Sequence, residues 1–208
     1  MNSLFKETKK IGAYPSHNFM DCYNSYPPTN EDRRKSIKGL SETKSLLFIY
    51  DSERPDSVNP VVHKKNYKHF YSYLQPVMQL IANKKGPGYF SKIFAAELPA
   101  GSRIQEHIDP GFGFVLAERF HWAVQTNTDS YSLIHEKKYS FTEGSLWSFN
   151  NKARHYSVND GQTSRIHIIF DYVSLERNLC LSAFPLDKKE FQNEKMLLKL
   201  IQKKGLLY

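Results

Sequence analysis

The sequence has little cysteine and no long apolar run, and both absences exclude classes of protein. Its two cysteines, Cys22 and Cys180, lie far apart and in no metal-binding spacing, which argues against a disulfide framework. No stretch approaches the roughly 18 apolar residues of a membrane-spanning helix, and Met1–Ile11 lacks the apolar segment of a signal peptide. We therefore expect a reduced, cytoplasmic protein with no membrane partner.

The charge is unbalanced but carries no nucleic-acid motif. Twenty-nine basic and 21 acidic residues give a net charge of +8, which allows an anionic partner. The basic residues are spread along the chain, and no fold motif of a nucleic-acid-binding protein accompanies them. A solvated basic surface is therefore favoured over a nucleic-acid footprint.

Length and hydrophobic pattern predict one globular structure with three regions. The chain has 208 residues, of which 40% are hydrophobic and 14% aromatic. Residues 1–88 form an N-terminal arm, irregular to about residue 43, and a helical buttress with a helix at 65–83 that Pro76 should kink or split. Residues 89–175 form the core, and residues 176–208 a helical extension with an amphipathic helix at 187–204.

The core region predicts short antiparallel strands. Besides an earlier strand at Leu46–Tyr50, eight runs rich in β-forming residues are separated by turn residues. Eight short strands in this space favour a jelly roll or a barrel. The predicted strands are Tyr89–Glu97, Ile104–Ile108, Phe120–Thr126, Tyr131–Ile134, Lys138–Phe141, Ser145–Phe149, His155–Val158 and Arg165–Tyr172.

One local pattern in this core is typical of a metal site. His107 and Asp109 are two residues apart, and on a strand residues i and i+2 point to the same face. A second histidine from a distant point would complete two histidines and one carboxylate, which leave open positions on an iron ion. His155, at the start of a later strand, is the best candidate.

A buried cation is predicted ten residues further along. Arg165 opens a strand in which polar and apolar residues alternate, so its guanidinium needs an anionic partner. Such a group pairs bidentately with a carboxylate, for example the distal carboxylate of 2-oxoglutarate.

The segment from Phe90 to Tyr172 resembles the aspartyl/asparaginyl/prolyl β-hydroxylase family of Fe(II)- and 2-oxoglutarate-dependent oxygenases. The N-terminal half and the predicted C-terminal helix lie outside the resemblance. Its motifs are Phe94–Gly101, His107–Asp109, Arg119–His121, Glu143–Asn151 with His155, and Arg165–Asp171.

The resemblance implies a mainly β fold, a double-stranded β-helix (a cupin-like jelly roll) with flanking α-helices. It implies Fe(II) as cofactor, and 2-oxoglutarate and O2 as co-substrates. The ligands would be His107, Asp109 and His155, and Arg165 would bind the co-substrate. Arg119 and His121 would lie in the same pocket, on the co-substrate or on a substrate carboxylate.

The implied activity is a dioxygenase that hydroxylates an amino-acid, peptide or protein side chain and decarboxylates 2-oxoglutarate to succinate. The substrate is expected to bear a carboxylate. Five further side chains are candidates for contact with the substrate: His167, Asn151, Arg103, Gln105 and Trp122. Each also has a purely structural interpretation. His167 and Trp122 fit a core position, Asn151 fits a turn, and Arg103 and Gln105 fit an exposed strand face.

Two other functions stay open at this point. One is a cupin-like metal-binding module or isomerase that does not use 2-oxoglutarate, in which Arg165 would be dispensable. The other is a nucleic-acid-directed oxygenase or binder, for which binding would depend steeply on salt.

Overall fold

A computed structural model describes residues 7–26, 42–52, 58–109 and 112–175. Residues 1–6 and 27–41 of the predicted irregular arm and the predicted helix at 187–204 lie outside these residues. The described residues form ten strands and three helices. The strands are β1 (Lys9–Ala13), β2 (Lys44–Ile49), β3 (Gly88–Leu98), β4 (Arg103–His107), β5 (Glu118–Gln125), β6 (Ser130–Ile134), β7 (Lys137–Tyr139), β8 (Ser145–Phe149), β9 (His155–Asn159) and β10 (Arg165–Ser174).

Two antiparallel sheets make the fold. The larger has six strands in the order β1-β8-β5-β10-β3-β2, and the smaller has four in the order β4-β9-β6-β7. From β3 onward the chain alternates between them, since β3, β5, β8 and β10 belong to the larger sheet and the strands between them to the smaller. This alternation is the winding of a double-stranded β-helix, and it confirms the predicted mainly β fold.

Two helices cover the outer face of the larger sheet. These are α1 (His17–Ser25) and α2 (Lys64–Lys85), and α2 buries apolar side chains at three- and four-residue spacing. Phe70, Leu74 and Ile81 of α2 pack in one core with Phe120 and Phe170 of the sheet. None of the helices described is both long and apolar enough to cross a membrane.

The inner face of the larger sheet meets the smaller sheet across a second, smaller core. Ala123 of β5, Ile134 of β6 and Phe149 of β8 belong to this core with Phe141 and Ala153. These apolar residues join the two sheets at one side, and several other inward positions of the larger sheet carry polar side chains.

The N-terminal region is more ordered than the sequence predicts. The structure has a strand, β1, that pairs with β8 where an irregular arm was expected, and the nine-residue helix α1 follows it. The strand is short and mostly exposed, so its own residues carry no strand pattern, and its partner strand determines it. Pro76 does not split α2, which runs unbroken from Lys64 to Lys85.

Candidate active site

Five buried polar side chains line the inner face of two neighbouring strands in the larger sheet. Alternate residues of β5 and β10 point inward, while Phe120 and Trp122 on β5 face the helices. Burial of so many polar groups on one face is unusual unless they are paired or bind a ligand. The inward side chains are Arg119 and His121 of β5 and Arg165, His167 and Asp171 of β10.

The structure brings His107, Asp109 and His155 together at one end of this face. One ligand atom from each of the three lies within 4.8 Å of the others, so the group could hold a metal ion. His107 ends β4 and His155 begins β9, and the two residues are cross-strand partners with ring centroids 4.3 Å apart. The nearest oxygen of Asp109 lies 3.7 Å from Nε2 of His107.

Backbone contacts orient both imidazoles as ligands. Nδ1 of His107 lies 2.7 Å from the carbonyl oxygen of Gln105, and Nδ1 of His155 lies 2.8 Å from that of Ala153. A carbonyl can only accept, so each Nδ1 carries the proton and each Nε2 keeps a free lone pair. Two imidazole nitrogens and one carboxylate fit a divalent iron site.

The carboxylate of Asp109 is held from its other side. Asn151 donates its side-chain amide to Oδ2 at 3.1 Å, and the guanidinium of Arg119 contacts the same oxygen. Burial alone raises the pKa of Asp109, but Arg119, His155, Asn151 and His107 together bring it below its ordinary value. Oδ1 is therefore left for a metal ion, and the group is ionised.

Arg119 pairs with two carboxylates. Besides Asp109 it donates from Nε and Nη2 to the two oxygens of Asp171, each at 2.8 Å. Burial alone lowers the pKa of Arg119, and the two carboxylates reverse this and raise it. Lys92 of β3 adds a second cation 3.8 Å from Asp171, so this end of the inner face is balanced in charge.

Arg165 is the opposite case. It is 3% exposed, and among the described residues its side chain has no ion pair and no hydrogen bond. Burial lowers its pKa to about 10, with no carboxylate to offset the effect. A guanidinium in this state can pair bidentately with an anion that the described residues do not supply.

Two histidines lie in the same region of the inner face as Arg165. His121 and His167 contact each other through Nδ1 at 3.3 Å, and Nε2 of each has no hydrogen-bond partner. In the described residues, four buried side-chain polar atoms have no hydrogen-bond partner. Three of the four lie here: Nε2 of His121, Nε2 of His167 and Nε of Arg165. Burial, followed by the neighbouring cations and imidazoles, lowers the pKa of His121 well below its ordinary value. Burial and Arg165 do the same to His167.

Burial also keeps the ligand candidate His155 neutral. It lowers the pKa of His155 to about 4, although the neighbouring Asp109 opposes the effect. A neutral imidazole is the form that binds a metal ion.

Not all predicted site residues join this group. Arg103 is exposed and pairs with Asp160 at 3.1 Å, and Gln105 is exposed on β4. Trp122 is fully buried in the core under the helices, where its indole donates to the backbone oxygen of Tyr14. These three therefore lie away from the inner face, whereas Asn151 and His167 lie within the group.

Sequence reasoning assigned no role to Asp171 and Lys92. Both are buried and belong to the charge network around Arg119. The alternation along β10 places Asp171 on the same side as Arg165 and His167, so that signal could have found it. Lys92 lies on a strand that is buried at every position, where the pattern gives no face.

Comparison with known proteins gives this arrangement a family. A sequence model of the family described as aspartyl/asparaginyl beta-hydroxylase matches residues 30–174. The chain belongs to this family. The match begins well upstream of residue 90. The N-terminal half was expected to lie outside the family resemblance, but part of it lies inside the match. A search among curated proteins found no match.

Solved structures of other proteins share the fold. A 2OG-Fe(II) oxygenase family oxidoreductase from Burkholderia pseudomallei has a TM-score of 0.57 at 10% identity, with 76% of each chain covered. A viral collagen prolyl hydroxylase from Paramecium bursaria Chlorella virus-1 has a TM-score of 0.46 at 10% identity, covering 82% of this chain and 97% of that one. The cupin domain of Cnp3 from Schizosaccharomyces pombe has a TM-score of 0.35 at 9% identity, covering 45% of this chain and 63% of that one. At these identities the likeness concerns the fold, and the first structure carries it.

Proposed function

We propose that the chain is an Fe(II)- and 2-oxoglutarate-dependent dioxygenase that hydroxylates an amino-acid, peptide or protein side chain. The observation that carries the proposal is the buried Arg165, which has no anionic partner among the described residues and lies on the inner face that ends at the His107, Asp109 and His155 group. A metal site alone would fit many activities, but a metal site with an empty guanidinium fork fits a co-substrate that has an anion at its far end.

His107, Asp109 and His155 would hold the iron, each through the atom that its other contacts leave free. When bound, the iron supplies the activation of O2, coupled to conversion of 2-oxoglutarate to succinate and CO2. Arg165 binds the distal carboxylate of the co-substrate and fixes its orientation. Aromatic rings of Phe141 and Phe149 line the histidines of the inner face and exclude water from it.

The carboxylate-bearing substrate is proposed from charge. The described inner face offers Arg165, His121 and His167 as groups without an anionic partner, and Arg119 retains N–H groups beyond its contacts with Asp109 and Asp171. A substrate or co-substrate carboxylate can therefore be accepted at either end without an added cation. Succinate formation should accordingly be stimulated by amino acids or peptides that carry an acidic side chain.

The test is succinate formation from 2-oxoglutarate by the Fe(II)-loaded protein, with a panel of acidic amino acids and peptides. Arg165→Met should weaken 2-oxoglutarate affinity by about 100-fold, because a bidentate charge-assisted pair contributes about 3 kcal/mol. His155→Ala should abolish metal binding and succinate formation. Arg103→Met is the matched control, since Arg103 is exposed and paired with Asp160, and it should behave as wild type.

The outcomes separate the alternative functions. Metal binding that needs both histidines, without succinate formation and without any effect of Arg165→Met, would favour a cupin-like module or isomerase. Binding of DNA or RNA that weakens steeply with salt would favour a nucleic-acid-directed role. Failure to bind a divalent metal ion at all would contradict the proposed function.

A further inference from the structure

His121 and His167 form a buried pair of a particular kind. Their Nδ1 atoms are 3.3 Å apart, and the described residues give neither Nε2 a hydrogen-bond partner. His167 is fully buried and His121 is 6% exposed. The pair therefore has two ring nitrogens joined to each other and two that are available only to a ligand or to water.

A hydrogen bond between two Nδ1 atoms fixes what the other nitrogens can do. One ring must donate its Nδ1–H and the other must accept. In a neutral pair the donating ring then has a bare Nε2, and the accepting ring carries its proton on Nε2. The neutral pair thus presents one donor and one acceptor, whichever ring donates. A carboxylate only accepts, so it can satisfy one of the two Nε2 atoms and is repelled by the lone pair of the other.

The surroundings keep the pair neutral as long as no anion is present. The titratable and charged groups that act on His121 are His167 and Arg165 on β10, Arg119 on its own strand β5 and His155 on β9; Arg165 acts on His167. Two apolar rings also contact the pair: Phe149 of β8 stacks on His121 with ring centroids 4.1 Å apart, and Phe141 meets His167 edge-on at 5.1 Å. Burial and these cations lower the pKa of both histidines.

We propose that His121 and His167 act as one proton-sharing pair, and that the pocket at Arg165 takes up a proton when it binds a dicarboxylate. The inference rests on the proposed function, which supplies 2-oxoglutarate as the ligand. The proton comes from solvent and adds to the bare Nε2 of the donating ring. The hydrogen bond between the Nδ1 atoms is kept, and both Nε2 atoms become donors.

The bound anion supplies what the free pocket lacks. Its negative charge next to Arg165 and the imidazoles favours the charged form of the pair, so the pKa of the pair rises on binding. Between the free and the bound pKa values, ligand binding and proton binding strengthen each other. Affinity for the dicarboxylate should therefore rise as the pH falls, by up to about tenfold per pH unit in that range.

Calorimetry measures the linked proton directly. The Mn(II)-loaded full chain is titrated with 2-oxoglutarate without oxygen near pH 6.5, in buffers that differ in ionisation enthalpy. Wild type should take up between about 0.5 and 1 proton more than a His121→Gln/His167→Gln double variant. Subtracting the proton uptake of the double variant from that of wild type cancels the protons exchanged at the metal centre, which both proteins share. His17→Gln, an exposed histidine on α1, is the matched control and should equal wild type.

A second measurement needs no variant. Wild type is loaded with Zn(II) in place of the paramagnetic Mn(II), and the 15N chemical shifts of the two imidazoles are recorded. They should show one unprotonated Nε2 before addition of 2-oxoglutarate and no unprotonated Nε2 after it. Binding with equal proton uptake in wild type and double variant, or with a bare Nε2 in the complex, overturns the inference and leaves the proposed function standing. Absence of 2-oxoglutarate binding by wild type overturns both.

Discussion

Two arginines on the inner face of the same sheet are both buried and are in opposite electrostatic states. Arg119 donates to Asp171 and Asp109, and its pKa is raised. Arg165 is as deeply buried, has no anion among the described residues, and its pKa is lowered to about 10. Burial is common to both, so the difference comes from their partners alone.

The presence or absence of a carboxylate partner has different consequences for the two arginines. A buried cation that the chain itself neutralises belongs to the folded structure, and removing it leaves carboxylates unpaired. A buried cation with no anion among the described residues is costly to the fold until an anion pairs with it, as is expected of a binding site. The Asp109 end of the inner face is therefore neutralised by the chain itself, whereas the proposed function supplies the anion at the Arg165 end.

The largest expected effect comes from removing the paired arginine. Arg119→Gln leaves Asp109 and Asp171 buried without their main partner, and we expect a loss of about 3–5 kcal/mol in the free energy of unfolding. Urea unfolding of the metal-free protein at pH 7 measures it. Arg103→Gln removes an exposed ion pair with Asp160 and should change stability by less than about 0.5 kcal/mol. Equal losses in the two variants would show that the Arg119 network does not stabilise the fold.

Acidification should act mainly at the unpaired end. His121 and His167 are neutral in the folded protein because their pKa values are lowered, whereas in the unfolded chain they titrate near 6.5. Below pH 6.5 the unfolded chain binds more protons than the folded one, so stability is present above that pH and is lost as the pH falls. We expect a loss of about 1–3 kcal/mol per pH unit just below 6.5.

The variant that checks this is the His121→Gln/His167→Gln double substitution. Its free energy of unfolding, measured by urea between pH 7 and pH 5 without metal, should fall less steeply than that of wild type. His17→Gln should keep the wild-type slope, because that side chain is exposed. Identical slopes in wild type and the double variant would mean that the two histidines are charged in the folded protein.

The two arginines also differ in how much of their environment can be predicted from the sequence. The strand pattern predicts β8 to the residue, and it predicts that Arg165 is buried and in need of an anion, because alternation on one strand is local information. The pairing of Arg119 with Asp171 joins residues 52 positions apart across two strands. Strand order and register decide that contact, and neither is written in one strand's own residues.

The same limit applies to the substrate-contact candidates that lie away from the inner face, where the structural alternatives fit. Arg103 and Gln105 share the parity of His107 on β4, but the pairing register of β4 is irregular between Ile104 and His107, and both side chains are exposed. Trp122 lies one residue from His121 and therefore on the other face, which a consistent use of period-two alternation would have excluded from the site. Asn151 joins the group through a turn, where no period applies.

A tenfold effect on metal affinity is expected from Asn151. Its amide and Arg119 hold Oδ2 of Asp109, so Asn151→Ala frees the carboxylate to rotate and should weaken Mn(II) binding by about tenfold, as contacts outside the ligand shell generally do. Titration calorimetry with Mn(II) measures it. Asn150→Ala is the matched control, since Asn150 accepts from the backbone of Lys152 in the same turn. If both variants weaken the site equally, the turn and not the amide orients Asp109.

The smallest effect on stability, and the one with the opposite sign, belongs to the unpaired arginine. Arg165→Met replaces a desolvated cation with an apolar side chain of similar length, and we expect the free energy of unfolding without ligand to rise by about 1 kcal/mol. At saturating 2-oxoglutarate the order should reverse, because wild type gains binding free energy that the variant lacks. Urea unfolding of the Mn(II)-loaded proteins with and without 2-oxoglutarate measures both. A loss of stability in the unliganded variant would mean that Arg165 has a partner within the fold, and the two arginines would then differ in degree and not in kind.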